Sequence, residues 1–177
     1  MSEQIFLTGF MGTGKSKIGQ LLARRLQREF LDTDRMIEER AGQSIAEIFD
    51  SRGEEAFRSV EHQCLQQAVT HTAAVVALGG GVITQDKNWE LIRDNGILVC
   101  LEATPETILE RVSRKEDRPL LAGLTRAKKL EKIRSLLSAR AAYYDRADIK
   151  IISTDECPPD HIAADLAANL ESRLCRP

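Results

Sequence analysis

The sequence has no apolar run long enough to span a membrane. Its longest, around Ala73 to Leu78 and Ile97 to Leu101, stop far short of the ~20 residues that a spanning helix needs. Cysteine is scarce. The four present, Cys64, Cys100, Cys157 and Cys175, are widely separated and show no CxxC or zinc-type spacing, which argues against a disulfide framework or a zinc ribbon. Cys64 and Cys100 lie in apolar segments and are expected as small buried hydrophobes. Neither sign of charge dominates: 25 Lys and Arg against 27 Asp and Glu give a formal net charge of -2. No electrostatic footprint for nucleic acid or an anionic membrane follows from that balance. Ile5-Phe6-Leu7 is too short, and too soon followed by Gly9 and Lys15, to read as a signal peptide. Internal repeats, low-complexity tracts and linkers are missing too. With 177 residues, 42% of them hydrophobic, there is enough material for one proper core. The expectation is one domain over residues 1–177, cytoplasmic and monomeric.

Short apolar runs alternate with longer periodic segments, the rhythm of an α/β protein with a parallel sheet. Strands are predicted at Gln4–Thr8, Phe30–Asp32, Ala73–Leu78, Ile97–Leu101 and Ile149–Ile152, their continuous apolarity suiting strands covered on both faces. Helices fill the gaps. Apolar residues fall on one face at Ile18, Leu21, Leu22 and Leu26, and again at Leu130, Ile133, Leu137, Ala141 and Tyr144. A last helix repeats Ile162, Leu166, Leu170 and Leu174, with Pro158 and Pro159 at its entry.

Gly9-Phe-Met-Gly-Thr-Gly14-Lys15-Ser16 satisfies GxxxxGK[ST] in full, between a predicted strand and a predicted helix. Glycines there let consecutive N–H groups curl round an anion, and the helix that follows turns its positive end toward phosphate. Lys15 can reach the β- and γ-phosphates, and the Ser16 hydroxyl can ligate Mg²⁺.

The loop alone fits GTPases, motors and small-molecule kinases. A guanine-reading NKxD is missing, and Asp50-Ser-Arg-Gly53 matches DxxG only between helical segments. Ala73–Leu78 runs into Gly79-Gly80-Gly81 rather than into a Walker B carboxylate. The second metal anchor is therefore sought at Asp32 and Asp34, which flank Thr33. On an extended segment both side chains would point the same way; alternatively one of them caps a helix starting near Met36. Arg58 and Glu61, three apart, can pair on a helix. Arg140 flanks the inward face of its helix, either paired with an anion or snorkelling to solvent.

In order after the P-loop come Phe30-Leu-Asp32-Thr-Asp34, Phe57-Arg58-Ser-Val-Glu61, Gly79-Gly80-Gly81, Arg118-Pro-Leu-Leu121, and Arg140 with Tyr144. This series resembles the shikimate kinase family across nearly the whole chain. The resemblance implies a three-layer P-loop kinase fold, a central five-stranded parallel sheet flanked by helices, with a lid over about residues 112–125. It implies transfer of the γ-phosphoryl of ATP to the 3-hydroxyl of shikimate, with Mg²⁺ as cofactor. Gly12, Thr13, Gly14, Lys15, Ser16, Lys17, Arg111 and Arg118 would hold ATP, with Arg111 packing on adenine. Ser16 and Asp32 would hold the metal. Asp34, Arg58, Gly80, Gly81 and Arg140 would hold the acceptor, the two arginines its carboxylate and Glu61 supporting Arg58. Lys15, Asp34 and Arg118 would be catalytic. Two departures stand out: Leu78 occupies a position where relatives often carry Ser or Thr, and Asp155–Pro159 lacks the basic residue many relatives have there. A kinase for gluconate or nucleoside monophosphates, a catalytically silent nucleotide-binding module and a GTPase switch are the competing readings.

Overall fold

The computed structural model describes residues 3–114, 121 and 123–174. In chain order its elements are β1 (Gln4–Thr8), α1 (Lys15–Arg25), β2 (Phe30–Asp32), α2 (Thr33–Ala41), α3 (Ile45–Ala68), β3 (Val75–Ala77), a 3₁₀ turn (Val82–Thr84), α4 (Asp86–Asn95), β4 (Gly96–Glu102), α5 (Pro105–Ser113), α6 (Arg126–Tyr144), β5 (Ile149–Ile152) and α7 (Pro159–Leu174). The strands form one sheet in the order β2-β3-β1-β4-β5, and every pairing is parallel.

Parallel strands need crossovers, and the helices supply them on both faces. Alternation along β1 assigns the layers. Ile5 and Leu7 point to one side, where Ile18 and Leu22 of α1 and Leu166 and Leu170 of α7 pack on them. Phe6 points to the other, with Leu65 of α3, Ile92 of α4 and Tyr144 of α6. Cys64 and Cys100 are both fully buried, and burial pushes the Cys100 thiol up to about 12, so it is inert at neutral pH. From β1 the chain crosses to the β2 side of the sheet, whereas from β3 it crosses to the β4 side. The loops after β1 and β3 therefore diverge and open a crevice at the carboxyl edge, where open α/β sheets bind ligands. Those loops carry the phosphate-loop motif and the three glycines.

The structure revises several boundaries. β3 spans only Val75–Ala77 rather than Ala73–Leu78, because Ala73 sits at φ 55°, outside strand geometry. β4 extends to Gly96–Glu102. β5 is an edge strand covered on one face only: Ile152 is 66% exposed, contrary to the expectation of two covered faces. Helix α2 begins at Thr33 instead of near Met36. Asp34 thus lies in a first helical turn, not on an extended segment. Gly53, at φ 77° and ψ 176°, breaks α3 into two helical pieces. The Asp50–Gly53 match to DxxG therefore falls at a helix kink. Among the described residues no helix is long and apolar enough to cross a membrane.

Candidate active site

The phosphate loop joins β1 to α1. Gly14 occupies the N-cap of α1 in a left-handed conformation, φ 96°, and no side chain caps that helix end. The contrast with α2, α3, α5 and α6 is informative, since Asp32, Ser44, Thr104 and Thr125 cap those. Only α1 among these has no side-chain cap, which leaves its first N–H groups and its positive end available to an anion. Lys15 folds over the loop and donates to the carbonyls of Gly9, 2.8 Å, and Phe10, 3.1 Å. Thr13 is buried, its hydroxyl and its N–H both donating to the Phe10 carbonyl. Gly12 stands at φ 80° beside Arg111, and Lys17 is exposed on the first turn of α1.

Two lines of contact tie β2 and α2 to this loop. The Ser16 hydroxyl donates to Asp32 Oδ2 at 2.6 Å, while Asp32 Oδ1 accepts from the N–H of Asp34 at 3.1 Å. Asp32 is thus both the cap of α2 and a hydrogen-bond partner of the P-loop serine. Between the two aspartates, the buried Thr33 hydroxyl accepts from the N–H of Gly79 at 2.9 Å. Asp34 presses against that glycine: a Cβ on Gly79 would lie 2.4 Å from Asp34 Oδ1.

The glycine turn carries two guanidinium groups. Arg140 donates to the Gly80 carbonyl at 3.0 Å and lies 5.7 Å from the centre of the Phe10 ring. It therefore faces the protein rather than snorkelling out. Arg58 packs so tightly on Gly81 that a Cβ there would sit 2.8 Å from its Nη1. Among the described residues, neither Gly80 nor Gly81 donates its N–H to a protein acceptor, which leaves both for a ligand. Phe57 lies beneath Arg58, and Phe49 packs on Phe57 with centroids 4.5 Å apart. This apolar wall was not foreseen from sequence, since Phe49 stands on the far side of the Gly53 break. Leu78 is buried in the core.

Arg58 binds both oxygens of Glu61, at 3.1 and 2.9 Å, and also Glu54. Glu61 is only 1% exposed. Burial pushes its carboxyl above the ordinary glutamate range; the Arg58 charge and hydrogen bonds pull it down without cancelling this, and Asp34 pushes it further up. On Arg58 burial is the largest effect and acts downward, but the Glu61 and Glu54 carboxylates together outweigh it and hold the guanidinium above its usual value. A carboxyl raised in the folded state binds protons more readily there than in the unfolded chain. Stability contributed by this group is present below its unfolded pKa, about 4, and is lost as pH rises through the higher folded value. Glu61→Gln removes this slope. In thermal unfolding, the variant's Tm relative to the parent is expected to rise from about pH 4 toward neutrality and then level off; a constant difference across that range contradicts the buried-charge account.

Arg111 reaches back from α5 to the phosphate loop. It donates to the Gly12 carbonyl, 3.1 Å, the Ser153 hydroxyl, 2.9 Å, and Asp155, 2.8 Å. The acidic Asp155, in the loop that lacks a basic residue, thus fixes the plane of Arg111. Arg118 lies outside the described residues, as does Cys175. Among the described residues there is no cluster of three or more His, Cys, Asp or Glu able to hold a metal by itself. The hard oxygen donors of Ser16 and Asp32 are adjacent and suit Mg²⁺, which typically takes one or two protein oxygens and completes its shell with phosphates and water.

A parallel 2-3-1-4-5 sheet with a phosphate loop after β1 and a ligand crevice at its carboxyl edge defines a P-loop kinase fold. Within that class, the chain belongs to the shikimate kinase family, whose profile it matches over residues 11–171. It is 44% identical to the shikimate kinase of Chlorobaculum tepidum over 97% of this chain and 92% of that one. It is also 44% identical to that of Thermus thermophilus over 94% and 89%. Its backbone is similar to shikimate kinase from Acinetobacter baumannii in complex with shikimate, with a TM-score of 0.90, 36% identity and coverage of 98% and 96%. Shikimate kinase from Aquifex aeolicus gives 0.82 at 32% identity, covering 97% and 98%.

Proposed function

We propose that this chain transfers the γ-phosphoryl group of ATP to the 3-hydroxyl of shikimate. The observation that carries this reading is the convergence of Arg58 and Arg140 on the Gly80–Gly81 turn, with Asp34 at its start. Two guanidinium groups beside the backbone N–H groups of Gly80 and Gly81 suit a small carboxylic acid with several hydroxyls. Shikimate lies with its carboxylate on Arg58 and Arg140, its ring against Phe57 and Phe49, and its 3-hydroxyl at Asp34.

ATP lies along the loop, its phosphates on the N–H groups from Gly12 to Ser16 and on Lys15. Arg111, its edge bonded to Gly12, Ser153 and Asp155, would pack its flat face on the base. Asp34 orients the 3-hydroxyl and takes its proton as that oxygen bonds to the γ-phosphorus. The bond from the γ-phosphorus to the bridging oxygen breaks, and ADP leaves. Lys15 offsets the charge spread over the transferring group, a role the family resemblance also implies for Arg118. Ser16 and Asp32 would hold Mg²⁺, which when bound neutralises phosphate charge. Most of the acceleration is positioning and electrostatics.

Phosphorus NMR of the product formed from shikimate and ATP·Mg²⁺ tests the regiochemistry. A phosphate coupled to the proton on C3 is expected; attachment at another hydroxyl contradicts the placement of Asp34.

A further inference from the structure

The glycine turn is where both arginines make contact, so whatever holds the turn also holds the acceptor site. Part of the scaffold is internal. Val82 donates its N–H to the Gly79 carbonyl at 3.1 Å, and Thr84 donates its N–H, 3.1 Å, and its hydroxyl, 2.7 Å, to the Gly81 carbonyl. Besides Arg140, which bonds the Gly80 carbonyl, two side chains grip the turn from outside. Thr33 takes the Gly79 N–H at the start, and at the end Asn88 Nδ2 donates to the Val82 carbonyl at 3.1 Å. Asn88, on the first turn of α4, is fully buried.

A buried primary amide is costly unless both its ends are satisfied. Here both are. The Val82 carbonyl can only accept, so the amide nitrogen faces it and the amide oxygen faces His62 Nδ1, 2.6 Å away. That oxygen can only accept, which fixes the proton on Nδ1. His62 follows Glu61 on α3. Consecutive residues of one helix therefore grip the two halves of the acceptor site: Glu61 holds Arg58, and His62 holds Asn88 and through it the turn.

We propose that Asn88, oriented by His62, is a positioning residue for acceptor binding. It sets the distance between the Gly80–Gly81 turn and the guanidinium groups that close on it. The inference rests on the reading of Arg58 and Arg140 as a carboxylate clamp. Shape and core-filling alone would affect stability; a positioning role shows in how shikimate, and not ATP, is bound.

The test is steady-state kinetics on the full chain at a temperature well below each variant's Tm. Asn88→Asp keeps the shape but loses the donor to Val82, and it is expected to raise the KM for shikimate about ten-fold. His62→Phe keeps a ring of similar size without the donor and should raise it about five-fold. His62→Gln, which restores an N–H donor, should recover most of that loss. The KM for ATP stays within about two-fold throughout. Should Asn88→Asp fail to fold, the half-buried His62 pair still decides. Arg140→Ala is the control on the underlying reading. If it raises the shikimate KM while the His62 and folded Asn88 variants do not, the positioning role is overturned and the clamp stands. If Arg140→Ala leaves the shikimate KM unchanged, the clamp itself falls, and the inference with it. A loss in His62→Phe that His62→Gln does not recover also overturns the proposal.

Discussion

Asp34→Asn lowers turnover with shikimate by about 10²–10⁴-fold, the range of a positioned general base, and leaves ATP affinity within about two-fold. The substitution is nearly isosteric, so the contact with Gly79 and the cap from Asp32 to the residue-34 N–H survive. What is lost is a basic oxygen and one negative charge. An amide still hydrogen-bonds the acceptor hydroxyl but does not take its proton. Single-turnover measurement separates the steps: shikimate binds, ATP binds, and the phosphoryl group does not move. Asp34 also adds to the electrostatic pressure on buried Glu61, so the variant relieves that pressure. Turnover within ten-fold of the parent contradicts the assigned role.

Lys15→Met removes the ammonium of the phosphate loop while keeping an unbranched side chain of similar length. A preorganised donor aimed at developing charge is worth about 10²–10³ in turnover, and a drop of that size is expected here, accompanied by weaker ATP binding. Lys15 already bonds the Gly9 and Phe10 carbonyls at the start of the loop, so the charge is anchored before nucleotide arrives. Loss of turnover with an unchanged circular dichroism spectrum supports an electrostatic role. A variant that retains more than a tenth of parental turnover contradicts it.

What was legible in the sequence follows from how narrowly chemistry constrains residue type. The phosphate loop demands glycine where side chains would block an anion and a lysine and serine at fixed offsets, so it reads directly. The α/β rhythm reads because parallel strands buried between helix layers have continuous apolar runs, which holds for Ile5–Leu7 of β1 and Ile97–Leu101 of β4. It fails at the edges, where Ile152 is exposed. Asp34 shows the other limit. Alternation on an extended segment would bring it beside Asp32, whereas in the structure it enters a helix that Asp32 caps. The two carboxylates meet the site by a different geometry from the one their spacing suggests. The helix pattern leaves Arg140 open between solvent and site because a helix face does not reveal a carbonyl 60 residues away in the chain. The bond between Arg111 and Asp155, 44 residues apart, was equally invisible. Asn88 gave no signal at all: asparagine in a first helical turn usually reads as a surface cap, and only the packing of α3 on α4 makes it a buried anchor.

On the reading proposed above, this phosphate loop serves a carboxylate-bearing acceptor held by two arginines. The most direct test is ADP formation from ATP·Mg²⁺ with shikimate, set against gluconate, a nucleoside monophosphate and no acceptor. Strong release with shikimate and background release with the other three is the predicted result. Release that is equal without acceptor, or that prefers gluconate or the nucleotide, would contradict the account.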